Sequence, residues 1–196
     1  MTVHPHVVDE MLAHALVEPS DPDPIGALIR EGRHRDALTT CARDHGAILG
    51  RLCMALLGSQ ADADEAVQET LLRAHRGMAG FRGEGTVKAW LCGIARHVCA
   101  HTLETRRRGR ELLEVVPTDA DTRDDFAARQ RARAVREALA KLKPSERDVL
   151  VLRYVAGLSH REIGTACAVD EATARKRISR ALSRLRSIVP IEELLP

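Results

Sequence analysis

Apolar positions recur at three- and four-residue spacing through most of this chain, interrupted by short clusters of Gly, Pro, Ser and Asp. That period predicts amphipathic helices. Leu38, Cys41, His45, Ile48, Leu49, Leu52 and Leu56 line one face of a helix from about Arg35 to Leu57, ended by Gly58-Ser59-Gln60. A second helix, about Ala61 to Met78, buries Ala63, Ala66, Val67, Thr70, Leu71, Ala74 and Met78, and shows Asp64, Glu65, Gln68, Glu69 and Leu72 outward. Gly80-Phe81-Arg82-Gly83-Glu84-Gly85 breaks the period and reads as a loop. Thr86 then caps a long helix to about Arg108, with Val87, Trp90, Leu91, Ile94 and Val98 inward. Helices at about 127–141 and 145–155 follow, the second opened by Pro144.

The last third of the chain carries the sharpest start signals. Ser159 with Glu162 three residues on forms a capping box just after the Ala156-Gly157 break. Asp170 followed by Thr173 opens another helix after only a few turn residues. In that helix Ala174, Ile178, Ala181, Leu182 and Leu185 form a buried stripe. At about 100° per residue, Thr173, Lys176, Arg177, Arg180 and Arg184 fall on the other side. Two short helices with a basic outer face on the second are a helix-turn-helix, a shape that suits the DNA major groove.

Composition narrows the rest. The chain has 196 residues with 2% aromatics, so Leu, Ala, Val and Ile must do the packing, and the expected class is all-α. Two small helical domains are expected, at 31–108 and 127–190. A flexible linker at 109–126, basic and then acidic around Pro117, joins them. An N-terminal extension (1–30) and a C-terminal tail (191–196) flank the pair. Residues up to about 30 read as irregular, because Pro19-Ser20-Asp21-Pro22-Asp23-Pro24 breaks any helix begun at Met1–Val17. The formal charge of +2 identifies no partner, whereas the Arg106-Arg107-Arg108 run and the basic last helix do point to nucleic acid. No stretch approaches the ~18 apolar residues of a membrane span, and no basic-then-apolar leader is visible, so no membrane insertion and a cytoplasmic location are expected.

The cysteines and histidines invite a metal reading that geometry weakens. Cys92 and Cys99 share one helical stripe while His97 and His101 lie on the far side, so the four do not converge on one ion. A site shared with Cys41, His45 or Cys53 stays open, but the five scattered cysteines read first as small hydrophobes. His4, His6 and His14 lack an acidic or thiol companion and read as an exposed tail. No metal and no cofactor is expected. No nucleophile, base and orienting group form a readable constellation, so an enzyme is not expected.

The block Ala61–Ala100, with Asp62-Ala63-Asp64, Val67-Gln68-Glu69, Phe81-Arg82-Gly83 and Trp90-Leu91 through Ile94-Ala95, resembles region 2 of bacterial RNA polymerase sigma factors of the extracytoplasmic-function class, group 4. Leu142–Ile188 resembles region 4 of the same family, in the family's order. The resemblance implies a factor that binds core RNA polymerase, recognises −10 and −35 promoter elements and helps to open the DNA. Asp64, Glu65, Gln68, Glu69 and Leu72 match the surface that docks on the β′ clamp helices, and region 4 matches the part that meets the β flap. Phe81, Arg82 and Gly83 match the loop that captures an unstacked promoter base, although Phe81 fits a core plug equally well. Lys88, Arg96, Arg106 and Arg107 match the surface along the −10 element. Glu171, Thr173, Lys176, Arg177, Arg180 and Arg184 match the −35 reader, with Thr173 and Lys176 near bases and the arginines on phosphates. An anti-sigma factor is a further partner implied by the resemblance alone.

The chain departs from the family's pattern at His75 (usually Trp), Cys92 (commonly Tyr), His97 (commonly Asn) and Ala168 (a turn glycine). His97 bears on −10 specificity and Ala168 on the approach of the recognition helix. Two rival readings remain: a DNA-binding regulator that never joins polymerase, and a metal- or thiol-responsive sensor on the same scaffold.

Overall fold

The computed structural model describes residues 23–112 and 134–188, and every regular element among them is helical. The histidine-bearing N-terminal stretch, the expected linker around Pro117 and the C-terminal tail lie outside the described residues. The helices are α1 (Pro24–Arg30), α2 (His34–Leu57), α3 (Gln60–Gly77), α4 (Val87–Leu112), α5 (134–140), α6 (Pro144–Tyr154), α7 (His160–Cys167) and α8 (Glu171–Ile188). A 3₁₀ turn at Met78–Gly80 closes α3.

Capping chemistry sets most boundaries. Asp23 accepts a hydrogen bond from the Gly26 amide at 2.9 Å and Pro24 sits in the first turn, so these two residues start a helix where an irregular segment was expected. The proline there loses nothing, since a first-turn N–H has no partner within the helix. Ile25 and Ile29 then reach the core, so residues 23–30 belong to the folded body. α4 also runs past its expected end at Arg108, through Gly109 to Leu112. A lone glycine costs a helix only about 1 kcal/mol, too little to stop it.

Leu49, Leu52, Met78, Val87 and Leu91 fill the bundle made by α1–α4. Val149, Val151, Leu152, Leu158, Ile163, Ala174, Ile178 and Ala181 fill the one made by α6–α8. The two helical units are in contact: α7 lies along α4, and the buried residues of both join one continuous apolar cluster.

The turn between α7 and α8 is closed by two backbone hydrogen bonds and a left-handed residue. The Val169 amide donates to the Gly164 carbonyl at 2.9 Å and the Ala168 amide to Thr165 at 3.3 Å, closing α7 in the manner of a Schellman cap. Ala168 takes φ 53°, ψ 48°, and no other non-glycine among the described residues has positive φ. A Cβ in that region costs about 1 kcal/mol. Ala168→Gly is therefore expected to stabilise the chain by about 1 kcal/mol and raise its melting temperature by roughly 2–4 °C, measurable by thermal circular dichroism.

Candidate nucleic-acid interface

Three surfaces carry the residues singled out from the sequence. On α3, Asp64, Glu65 and Gln68 are exposed, Glu69 is half-buried, and Leu72 is 50% exposed, the largest exposure of any large apolar side chain described. Asp64 accepts from Gln60 at 2.8 Å and Glu69 from Arg73 at 2.6 Å, so the acidic row is braced along its own helix. Beside it runs an open groove of about 430 Å³ between α3 and α4, walled by Glu65, Gln68, Glu69 and Leu72. Its other wall is Val98, His101, Thr102 and Thr105 of α4, a stripe that the sequence did not join to the α3 face. Their three- and four-residue spacing was visible, but not that this stripe faces α3.

The second surface starts at the loop after α3. Phe81 packs on Trp90, ring centroids 4.9 Å apart and tilted by 44°, and is half-buried at the edge of the core. Arg82 projects into solvent near Glu84, and Gly83 takes φ +70°. Thr86 caps α4 by accepting from the Ala89 amide at 3.1 Å. Along α4, Lys88 is half-buried beside Gly157, while Arg96 lies under α6 in an ion pair with Asp148 at 3.5 Å. Burial pushes the Asp148 carboxyl above its ordinary range, opposed by the charges of Arg147 and Arg96. Arg96 also meets His97 at 2.8 Å, and desolvation followed by that positive charge holds the imidazole below its usual range. At the far end Arg106 pairs with Asp62 and reaches the Leu57 carbonyl, tying α4 to α3 and α2. Arg107 and Arg108 both reach Glu104, which they hold below the usual carboxylate range. Lys88, Arg96, Arg106 and Arg107 are thus spread along one helix in different settings.

The third surface is α8. Asp170 receives both the amide and the hydroxyl of Thr173, each at 2.7 Å, which locks the helix start and holds the Asp170 carboxyl low. Glu171 pairs with Arg175 at 2.8 Å, an exposed cation in the first turns that the sequence reading passed over. Lys176 and Arg180 are exposed and Arg177 half-buried, and none of them makes an ion pair among the described residues. Arg184 leans 3.4 Å from Glu146 of α6. The result is a rigid helix with its apolar stripe anchored and its cations aimed outward, which suits a polyanion groove.

The thiols are spectators to these surfaces. Cys41, Cys53, Cys92 and Cys99 are buried, and desolvation pushes Cys41 up to about 11 and Cys92 up to about 12. The Cys53 thiol of α2 and burial together raise the Cys99 thiol of α4. Among the described residues no three His, Cys, Asp or Glu side chains are grouped to hold a metal ion.

Comparison with known proteins gives the arrangement a context. The family model described as Sigma-70 region 2 matches residues 41–109, and that described as Sigma-70, region 4, matches 132–185. The chain is 31% identical over 182 residues to the ECF RNA polymerase sigma factor SigE of Mycolicibacterium smegmatis, covering 87% of this chain and 69% of that protein. Its fold is similar to CnrH in complex with the cytosolic domain of CnrY, at TM-score 0.67 and 24% identity over 86% of this chain and 97% of that one. It is also similar to the sigma factor RpoE in complex with the anti-sigma factor NepR from Bartonella quintana, at TM-score 0.53 and 25% identity over 71% and 88% of the respective chains.

Proposed function

The chain belongs to the extracytoplasmic-function RNA polymerase sigma factors, and from that premise we propose how its own residues divide the work of promoter-specific initiation. The observation that carries the reading is a pairing on one chain: an acidic α3 face with Leu72 standing out of it, and a capped helix-turn-helix whose outer face is basic. Asp64, Glu65, Gln68, Glu69 and Leu72 form the dock for core polymerase. Exposed carboxylates around an apolar anchor give orientation and on-rate from charge, and affinity from the desolvated centre. The groove wall on α4 extends that dock.

The α8 helix reads the −35 element, with Lys176 near base edges and Arg177 and Arg180 on phosphates; Glu171 and Thr173 set its start. The α4 helix and the Phe81–Gly85 loop serve the −10 element. Extruding a base costs roughly a few kcal/mol, which stacking and edge contacts in the loop must offset. Arg82 is the exposed cation available there, and the Phe81–Trp90 pair is the rigid wall behind it. The polymerase forms the phosphodiester bonds and this chain catalyses no step. It acts in the cytoplasm, where promoter DNA is; among the described residues no helix is long and apolar enough to cross a membrane. An anti-sigma factor is the third partner, as in the RpoE–NepR complex.

Binding of the reconstituted holoenzyme to a −35-containing duplex tests the division of labour. Arg177→Ala is expected to weaken binding across sequences and reduce the steepness of its salt dependence by about one unit, the signature of one lost phosphate contact. An unchanged salt slope would remove Arg177 from the phosphate set.

A further inference from the structure

A pocket of about 360 Å³ opens where the end of α2, Leu103 of α4, α5 and Arg147 of α6 meet, and it shares no residue with the three surfaces described above. Its floor is aliphatic: Leu56, Leu57 and Leu139, each 8% exposed, with Leu103 beside them. Its charged groups are Arg136, Arg147 and Glu137, the last exposed on the rim. Arg136 lies across Gly58, where an added Cβ would meet its Cδ at 3.5 Å and its Nε at 3.6 Å. It is not needed to cap α2, because Arg106 reaches the Leu57 carbonyl and the Gly58 amide bonds Met54. Arg136 makes no ion pair among the described residues. Arg147 is more confined. Its side chain is 17% exposed, and the acid it meets, Asp148 at 3.8 Å, also faces Arg96 at 3.5 Å. The Nε of Arg96 and that of Arg147 are both buried without a hydrogen-bond partner. Two guanidiniums therefore share one carboxylate, which leaves one positive charge uncompensated at the pocket wall.

We propose that this pocket binds a small aliphatic monocarboxylate, its chain on the leucine floor and its head between Arg136 and Arg147. A largely buried cation without an anion of its own is costly. A guanidinium fork takes a carboxylate through two parallel hydrogen bonds, which removes that cost. One uncompensated charge calls for one negative charge, whereas a phosphate monoester carries roughly −1.5 to −2 near neutral pH. The volume lies near the lower end of the range of roughly 300–1,000 Å³ that ligand sites occupy, which selects a short chain over a drug-sized body. Apart from the three charged residues, every lining residue is apolar, so a hydroxylated body finds no side chain to bond. The walls come from α2 and α4 of one helical unit and from α5 and α6 of the other, so an occupant also ties the two units together.

Isothermal titration of the full chain with sodium decanoate, kept below its micelle concentration, tests this. One saturable site per chain is expected, with a melting temperature that rises with decanoate concentration. Decyltrimethylammonium carries the same chain with the opposite charge, and acetate carries the charge without the chain; neither is expected to saturate the site. Arg136→Gln and Arg147→Gln are each expected to weaken decanoate binding at least about tenfold, the loss of one charge-assisted hydrogen bond. Ala140→Trp keeps both cations and fills the pocket from its exposed rim, so it is expected to abolish binding in a chain whose circular dichroism is unchanged. Arg136 and Ala140 are not core residues, so their variants report even if Arg147→Gln does not fold. Decanoate that fails to saturate one site, that binds the variants as it binds the wild type, or that is matched by decyltrimethylammonium would overturn the proposal. Promoter-directed initiation with core polymerase does not depend on the result.

Discussion

Gly164→Val is expected to lower the melting temperature by roughly 6–12 °C, equivalent to about 3 kcal/mol in a chain of this size, and to cut −35-dependent initiation at least about tenfold. A Cβ at position 164 would lie 2.8 Å from the Val169 carbonyl oxygen and 3.5 Å from the Glu171 amide nitrogen. Both are backbone atoms of the turn, so no side-chain rotation relieves the contact. The Gly164 carbonyl also receives the Val169 amide, and separating the two strands of the turn breaks that bond and swings α8 away from α7. A valine recovers only a few tenths of a kcal/mol of helix propensity over glycine, far less than the strain. Gly46→Ala in α2 is the control. Nothing lies within 4 Å of its added Cβ, so propensity alone acts and stability is expected to rise by about 0.5–1 kcal/mol. Differential scanning calorimetry separates the two outcomes, and a neutral Gly164→Val would show that the turn is looser than described.

Leu72→Lys is expected to weaken association with core polymerase by about 2–4 kcal/mol, roughly 30- to 700-fold in dissociation constant. Leu72 is 50% exposed, so the folded chain gives up little packing by losing it, and a surface change of this kind stays within about 0.5 kcal/mol in stability. Its place among Glu65, Gln68 and Glu69 along the α3–α4 groove is what makes it costly. A lysine there removes the apolar centre and puts a cation on the face proposed to dock on core polymerase. Fluorescence anisotropy of the labelled chain against core polymerase measures the loss. Binding of the free chain to −35 duplex should be unaffected, which separates a docking defect from a folding one. Equal core affinity for wild type and variant would take Leu72 out of the dock.

The local parts of this architecture were legible in the sequence and the long-range parts were not. Ser159 with Glu162, Asp170 with Thr173, and Thr86 act within a few residues of themselves, and each cap sits where its residue type predicts. Ala168 announced its own strain, because the turn needs a left-handed residue whichever side chain stands there. The residues Asp23 and Pro24 misled in the other direction: residue types that read as a helix break here cap and open a helix, and only the burial of Ile25 and Ile29 shows it. Arg96 shows the limit most clearly. Its partner Asp148 is distant along the chain, and no helical period, cap or motif links the two. The same holds for Gly93, whose reason for being glycine is the backbone of Ala166. Periodicity says that a face is buried; it does not say by what.

The acidic dock, the −10 helix and the −35 reader serve one reaction only if the chain redirects polymerase. Run-off transcription with core polymerase on a library of upstream fragments, with and without the full chain, measures this directly. Discrete transcripts that depend on the chain, disappear with Leu72→Lys and weaken with Arg177→Ala are the expected result. A folded chain that binds DNA yet directs no initiation from any fragment would contradict the account.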